Sequence, residues 1–145
     1  MDIKNWTAYF HDGELINIYH KGENIIFLME SSQFESEKNT EQSFKETPIL
    51  EENKSIFSES NTIKGRLHVE GIKNITVNKQ PFRDKLKKMY DMGDILDFEI
   101  YSKKVILLIE WRNYPPHPDK CDVSKIEIEA EKIWWENLPD LKDSE

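Results

Sequence analysis

The sequence contains a single cysteine, only five glycines and no hydrophobic run that approaches the length of a membrane span. The lone Cys121 excludes an internal disulfide and fits a reducing compartment. The longest apolar run, residues 105–109, is far shorter than the roughly 20 residues that cross a bilayer. The first residues also lack the apolar segment that directs export. We therefore expect a cytoplasmic protein with no membrane partner.

Positive charge is scarce as well. Twenty Lys and Arg residues stand against 28 Asp and Glu residues, which gives a formal net charge of −8. Nucleic-acid binding depends on clustered cations that neutralise phosphates, so nucleic acid is not an expected partner. Charged residues make up 33% of the 145-residue chain and apolar residues 37%. This balance predicts one soluble domain over residues 1–145 with a modest core.

A repeated stretch organises the rest of the chain. Residues 13–30 and 93–110 match without a gap at a spacing of 80 positions, and such self-similarity indicates a repeated structural unit. The identical pairs are Gly13/Gly93, Ile26/Ile106, Leu28/Leu108 and Glu30/Glu110. In each copy an apolar run, a polar break and a second apolar run predict a β-hairpin. The return strands, 25–29 and 105–109, are continuously apolar, which predicts central strands covered on both faces.

A third strand extends each copy, because residues 66–71 match residues 125–130 at a spacing of 59. The sequence therefore predicts a mainly β fold (α+β by content) built from two related three-stranded antiparallel meander units. Neither small sheet buries its apolar face alone, so we expect the units to pack as a sandwich or flattened barrel. Unit one covers about residues 6–78, with a polar insertion at 31–60, and unit two covers about 93–138.

Two local features interrupt the strand pattern. Inward-facing positions change parity after Val69, which predicts a bulge near Gly71. Residues 81–92 are predicted to form one helix that bridges the units, with Pro81 at its start and Gly93 just beyond its end. Its apolar face consists of Phe82, Leu86, Met89 and Tyr90.

Few residues are arranged for chemistry. His117 and Cys121 are spaced four apart, but a zinc site needs three or four ligands, so we expect no metal and no cofactor. No nucleophile elbow or Gly-rich phosphate loop occurs, and we expect a protein that is not an enzyme. A hydrolase remains the weaker alternative and requires its acid and base side chains to converge. Its candidate residues are His11, Asp12, His68 and Glu70.

The outward positions of unit two are acidic on two strands, whereas those of unit one are mixed. The predicted partner-binding residues are Asp97, Glu99, Glu127, Glu129, Glu131 and Trp135. An acidic face attracts a basic protein partner and speeds association, and an exposed tryptophan adds an aromatic anchor. Ordinary solubilising charge is the alternative explanation. A further hypothesis is a β-sandwich that binds a small ligand or carbohydrate, with Trp134 or Trp135 at the floor of a groove.

Three short motifs carry a family resemblance. They are Trp6 with the Phe-His-Asp-Gly-Glu-Leu segment at 10–15, Ile-Glu-Trp at 109–111 and Ile-Glu-Ile-Glu-Ala at 126–130. Together they resemble a group of small uncharacterised bacterial β-rich proteins, some of which are classed as immunity proteins of polymorphic toxin systems. The resemblance implies a single cytoplasmic domain that neutralises a toxin, and it supplies no catalytic residues. The insertion at 31–60 is longer than that group leads us to expect.

Overall fold

The structure, a computed structural model, describes residues 3–32, 62–90, 92–112 and 122–138. This part of the chain forms two short 3-10 helices and seven strands. They are η1 (Ile3–Asn5), η2 (Thr7–Phe10), β1 (Gly13–Lys21), β2 (Asn24–Glu30), β3 (Lys64–Val77), β4 (Gln80–Pro81), β5 (Met92–Tyr101), β6 (Lys104–Arg112) and β7 (Asp122–Asn137). Nearly all of the insertion predicted at 31–60 lies outside the described residues.

Six of the strands close into an antiparallel barrel. Their order is β2-β1-β5-β6-β7-β3, and β3 pairs back onto β2 to complete the circle. The two-residue β4 pairs with Thr76 and Val77 at the C-terminal end of β3. The prediction of a mainly β fold is therefore confirmed, and of the two predicted packings the barrel is the one observed. Closure pairs strand edges that an open sheet would expose.

Inward-facing side chains fill the barrel. On β2 the buried residues Ile25, Phe27 and Met29 alternate with half-buried ones, as expected for a strand with one face on the core. Phe10, from η2, is also fully buried. Its ring meets Phe98 and Trp135 edge-on, at centroid distances of 5.3 and 5.5 Å, the geometry that aromatic pairs prefer. The N-terminal segment thus contributes to the core.

The two hairpins share one register. The ladder shifts between Leu15 and Asn17 in the first hairpin and between Ile95 and Asp97 in the second, positions 80 apart in the sequence. At both shifts the side chain of the Asn or Asp accepts a hydrogen bond from the next backbone N–H, at 2.8 and 2.9 Å respectively. The following ladders correspond too, as in the pairs Phe27–Leu67 and Leu107–Ile126. The sequence repeat is therefore matched by equivalent backbone pairing.

Strand β3 bends near its middle. Gly71 has a φ of +66°, a conformation that favours glycine, and the ladder to β7 shifts between Ile72 and Asn74. The Gly71 N–H donates to Asn24 Oδ1, and the Ile72 N–H donates to the carbonyl oxygen of Glu23. The bulge predicted near Gly71 is confirmed, and these bonds fasten it to the turn between β1 and β2.

The helix predicted at 81–92 is wrong. Residues 82–90 form bends and irregular structure, and residues 80–81 form β4 instead. In a helix beginning at Pro81, the Phe82 N–H would lie in the first turn and have no intrahelical acceptor. Here it donates to the carbonyl oxygen of Ile75 at 2.9 Å. The backbone therefore hydrogen-bonds to the sheet at the residues where the helix was expected to begin.

The apolar spacing that suggested the helix has another origin. Leu86 is buried, and Phe82 and Tyr90 pack against the core as well. In a helix the Leu86 carbonyl would accept from the N–H of residue 90. Here it accepts from His20 Nε2 at 2.8 Å. Phe82, Leu86 and Tyr90 are thus anchors of an irregular segment that is tied to β1, whereas Met89 is 49% exposed.

Candidate protein-binding face

The predicted acidic residues lie on the outer face of β5 and β7, with β6 between those strands. The ladders place Ile106 between Glu99 and Glu127, and they place Leu108 beside Asp97. Neighbouring strands lie about 4.8 Å apart, so carboxylates flank Ile106 on both sides, whereas Leu108 has Asp97 on one side and Lys125 on the other. We call the outer surface formed by Asp97, Glu99, Ile106, Leu108, Glu127 and Glu129 the acidic face.

The centre of the acidic face is apolar and only partly covered. Ile106 and Leu108 are half-buried, whereas the alternate residues Val105 and Leu107 are fully buried. The prediction that this strand is covered on both faces is wrong, because the barrel interior covers only one of them. An apolar centre with a charged rim is the usual anatomy of a protein–protein interface.

Two of the carboxylates have partners on this surface. The Tyr101 hydroxyl donates to Glu99 Oε2 at 2.6 Å, and this hydrogen bond raises the pKa of Tyr101. Lys104 Nζ lies 3.2 Å from Glu127 Oε2, while Glu129, which pairs with Lys104 in the ladder, is exposed. Exposed ion pairs of this kind add little stability. The acidic face therefore borders a cation, Lys104, which neutralises part of its charge.

Trp135 does not belong to the acidic face. Inward positions on β7 are even-numbered as far as Ala130 and odd-numbered near the end of the strand, so the parity changes at the exposed Glu131. Trp135 is consequently 8% exposed and packs against Phe10. The prediction that Trp135 anchors a partner is wrong, and the exposed tryptophan is Trp134, at 37%.

Trp134 belongs to a cluster on the outer face of β3 and the end of β7, which we call the His68–Trp134 cluster. The His68 and Trp134 rings are stacked, with centroids 3.9 Å apart, and Trp134 Nε1 donates to Glu70 Oε2 at 2.9 Å. Glu136 lies 2.9 Å from His68 Nε2 and 3.3 Å from Arg66 Nη1. The hydrogen bond from His68 and the charge of Arg66 lower the pKa of Glu136.

The small-ligand hypothesis gains nothing from this arrangement. Trp135 lies inside the barrel, and one ring face of Trp134 is occupied by His68. Two open clefts, of about 280 and 370 Å³, are lined within the described residues by polar side chains and backbone rather than by tryptophan.

Four carboxylates that the sequence analysis missed lie side by side across four strands. The ladders place Glu14 between Glu30 and Asp94, and they place Glu110 beside Asp94. The repeat aligns Glu14 with Asp94 and Glu30 with Glu110, so it carried the signal. The sequence alone does not show that these four residues are neighbours, because that follows from the pairing of β1 with β5.

Directly opposed like charges are destabilising, so this row needs compensation. Arg112 Nη2 lies 2.6 Å from Asp94 Oδ2, and Thr62 Oγ1 donates to Glu30 Oε2 at 2.7 Å. These contacts stabilise two of the four carboxylates, Asp94 and Glu30. They give the row a structural explanation.

The candidate hydrolase residues do not converge. His11 Nδ1 bonds to the carbonyl oxygen of Leu96 at 2.7 Å, beside the β1–β5 contact, and Asp12 lies next to it in the turn. His68 and Glu70 lie on β3, next to β7. The β1–β5 and β3–β7 contacts are on opposite sides of the strand order. No shared acid–base centre forms from these four residues.

Within the described ranges, no group of three or more His, Cys, Asp and Glu side chains is placed to hold a metal ion. His117 and Cys121, the pair considered for zinc, lie outside those ranges. Among the same described residues, no helix has the length and apolarity that crossing a membrane requires.

Comparisons with protein-family models, with curated proteins and with solved structures find no match for this chain. Its function must therefore be inferred from its own surface, on which the acidic face has the anatomy of an interface.

Proposed function

We propose that this chain is a non-enzymatic protein-binding domain that docks its acidic face onto a basic protein. The observation that carries the proposal is the half-buried pair Ile106 and Leu108 on the outer face of β6. Ile106 lies between Glu99 and Glu127, and Leu108 lies between Asp97 and Lys125. Burying apolar surface supplies affinity, and complementary charge guides the partner into register. Solubilising charge alone does not require an apolar strip at its centre.

The partner we propose is a toxin, so that the domain acts as an immunity protein in the bacterial cytoplasm. The family resemblance of the three short motifs supports this role. The net charge of −8 supports it as well, because long-range attraction speeds the capture of a cationic protein. An inhibitor must bind its target before the target acts, so rapid association has a direct advantage.

We further infer that the two three-stranded meander units are copies and that only the second acquired an acidic outer face. The matched registers of the two hairpins support the duplication. At three of five equivalent outer positions the second unit has a carboxylate where the first has none, and at the other two the charge is the same. The corresponding pairs are Asn17/Asp97, Tyr19/Glu99, Arg66/Lys125, His68/Glu127 and Glu70/Glu129.

The test is a pair of affinity captures followed by a titration. The wild-type chain and the Glu127→Lys/Glu129→Lys variant are used as baits, and bound proteins are identified by mass spectrometry. We expect a basic protein that the wild type retains and the variant loses. With that protein purified, calorimetry should give a dissociation constant at least tenfold larger for the variant, because each reversed charge opposes the partner.

The control is Glu23→Lys, which makes one such Glu-to-Lys reversal, half the charge change of the double variant, at an exposed position in the turn of the first hairpin. It should leave the affinity within about twofold, since rim charges remote from an interface act weakly. Equal losses for both variants would show that net charge alone drives binding and would refute a dedicated face. Unchanged affinity in the double variant would refute it as well.

A further inference from the structure

One edge of β7 has no partner strand among the described residues. Strand β6 pairs with β7 as far as Glu129, and the Ala130 N–H donates to the carbonyl oxygen of Lys103. Beyond this point β7 continues through residues 131–136 and pairs only with β3, on its other side. Alternate residues of such an edge direct backbone N–H and C=O groups outward, which is a template for pairing with another chain.

The equivalent edge in the first unit is covered. At the spacing of 59, residues 131–136 correspond to residues 72–77 of β3. There β4 pairs with Thr76 and Val77, and the Phe82 N–H adds a further bond to Ile75. The two halves of the barrel thus differ at this edge, and in the described part of the chain only the first half supplies its own cover.

Along the uncovered edge, a positive and a negative side chain are placed at equal distances on either side of Trp134. Lys132 lies two residues before Trp134, and Glu136 lies two residues after it. If two copies of this edge pair antiparallel about Trp134, Lys132 of each copy lies opposite Glu136 of the other. The two Trp134 rings then face each other. Opposite charges and aromatic pairs are favourable cross-strand neighbours.

Charged side chains on an edge usually prevent pairing, because a partner of unmatched sequence meets them unpaired. Here the positive and the negative residue are equidistant from one centre, so an identical copy meets each of them with the opposite charge. Glu136 then gains Lys132 of the other copy in addition to His68 and Arg66 of its own. Trp134 also already has the contacts that its burial requires. It is held by the His68 stack, and its indole N–H already has an acceptor in Glu70, so covering it leaves no donor unsatisfied.

We propose that two copies of this chain form a dimer by antiparallel pairing of residues 131–136 of β7, centred on Trp134. This surface lies at the end of β7 beyond the acidic face, so the inference goes beyond the proposed function and leaves the apolar strip of β6 accessible in the dimer. The charge pattern identifies the partner as another copy of the chain, because its Lys132 and Glu136 are complementary to those of the first copy.

The experiment is sedimentation equilibrium of the full chain across a range of concentrations, with 17.3 kDa as the monomer mass. The wild type should reach twice this mass. Lys132→Glu and Glu136→Lys should each raise the dimer dissociation constant at least tenfold, because both charged pairs become repulsive. An equimolar mixture of these two variants should form a heterodimer, since each then offers the sign that the other lacks.

Two further variants keep the result interpretable. Trp134→Thr should weaken the dimer at least tenfold without removing a core residue, whereas Tyr19→Thr, at another exposed aromatic, should leave it unchanged. Circular dichroism and thermal unfolding establish that each variant is folded. A monomeric wild type would overturn the proposal. So would a dimer that survives Lys132→Glu and Trp134→Thr, because it would have to use another surface.

Discussion

The outer surfaces of the two hairpin units differ far more than their backbones do. Both hairpins shift register at equivalent residues, and both use an Asn or Asp side chain to cap the shift. Around the half-buried strips of β2 and β6, however, the neighbours diverge. Histidine and arginine flank the first strip, and glutamate and lysine occupy the equivalent positions beside the second.

This contrast follows from where each side chain points. Residues that face the core must fill a fixed volume, so both copies keep apolar residues at those positions. Residues that face outward are not bound by that requirement, and their chemistry is available for recognition. Strands are well suited to such a division because alternate residues lie on opposite faces. The comparison between the units therefore separates the positions that the core constrains from those that it leaves free to vary.

The largest expected effects come from substitutions at equivalent inward positions. Phe27→Ala and Leu107→Ala remove fully buried side chains and should lower the free energy of unfolding by about 3–5 and about 2–5 kcal/mol respectively. Leu28→Ala and Leu108→Ala, their half-buried neighbours on the outer face, should cost about 1 kcal/mol. Urea denaturation measures all four values. Equal losses of unfolding free energy at inward and outward positions would contradict the division between core-facing and outward-facing residues.

A smaller effect is expected at the two register shifts. Asn17→Ala and Asp97→Ala each remove the acceptor of a backbone N–H and should cost about 1 kcal/mol. The exchanges Asn17→Asp and Asp97→Asn retain the acceptor and should stay within about 0.5 kcal/mol of the wild type. Thermal unfolding of the four variants makes this comparison. If one alanine variant is neutral and the other is not, the two shifts are not equivalent.

The smallest effect is expected in the His68–Trp134 cluster, which belongs to the first unit and the end of β7. The pKa of Glu136 is lowered from its ordinary 4.5. Its contribution to stability is therefore present above the unfolded-state pKa and is lost as pH falls through the folded-state value. The stability difference between the wild type and Glu136→Gln should shrink as the pH is lowered from about 6 to about 3.

Glu131→Gln provides the control for removing one carboxylate from the same strand. Chemical denaturation at several pH values gives the stability of each variant. A difference between the wild type and Glu136→Gln that grows on acidification would contradict the assigned cause, since protonated Glu136 has no charge to pair with Arg66 or His68.

Local patterns in the sequence predicted the parts of the fold that depend on near neighbours. The repeat located both hairpins, and the parity change after Val69 located the bend at Gly71. The helix prediction is wrong because apolar spacing does not show which hydrogen-bond partner each backbone group has. The Leu86 carbonyl is used by His20, which is far away in the sequence. Tertiary contacts of this kind override local periodicity.

The errors at the site have a similar origin. Uninterrupted alternation along β7 predicts an outward-facing Trp135, but a shift of one residue moves every later side chain to the other face. The row of Glu14, Glu30, Asp94 and Glu110 depends on the pairing of β1 with β5, which joins distant parts of the chain. Five of the six predicted partner-binding residues face outward, as expected from simple alternation.

Hydrogen exchange of the chain, alone and bound to its captured partner, tests the central claim most directly. The account predicts added protection in β5, β6 and β7 around residues 97–99, 106–108 and 127–129. It predicts little change at the equivalent residues 17–19, 26–28 and 68–70 of the first unit. Protection confined to the first unit, or spread equally over both, would contradict the claim that the second unit carries the binding face.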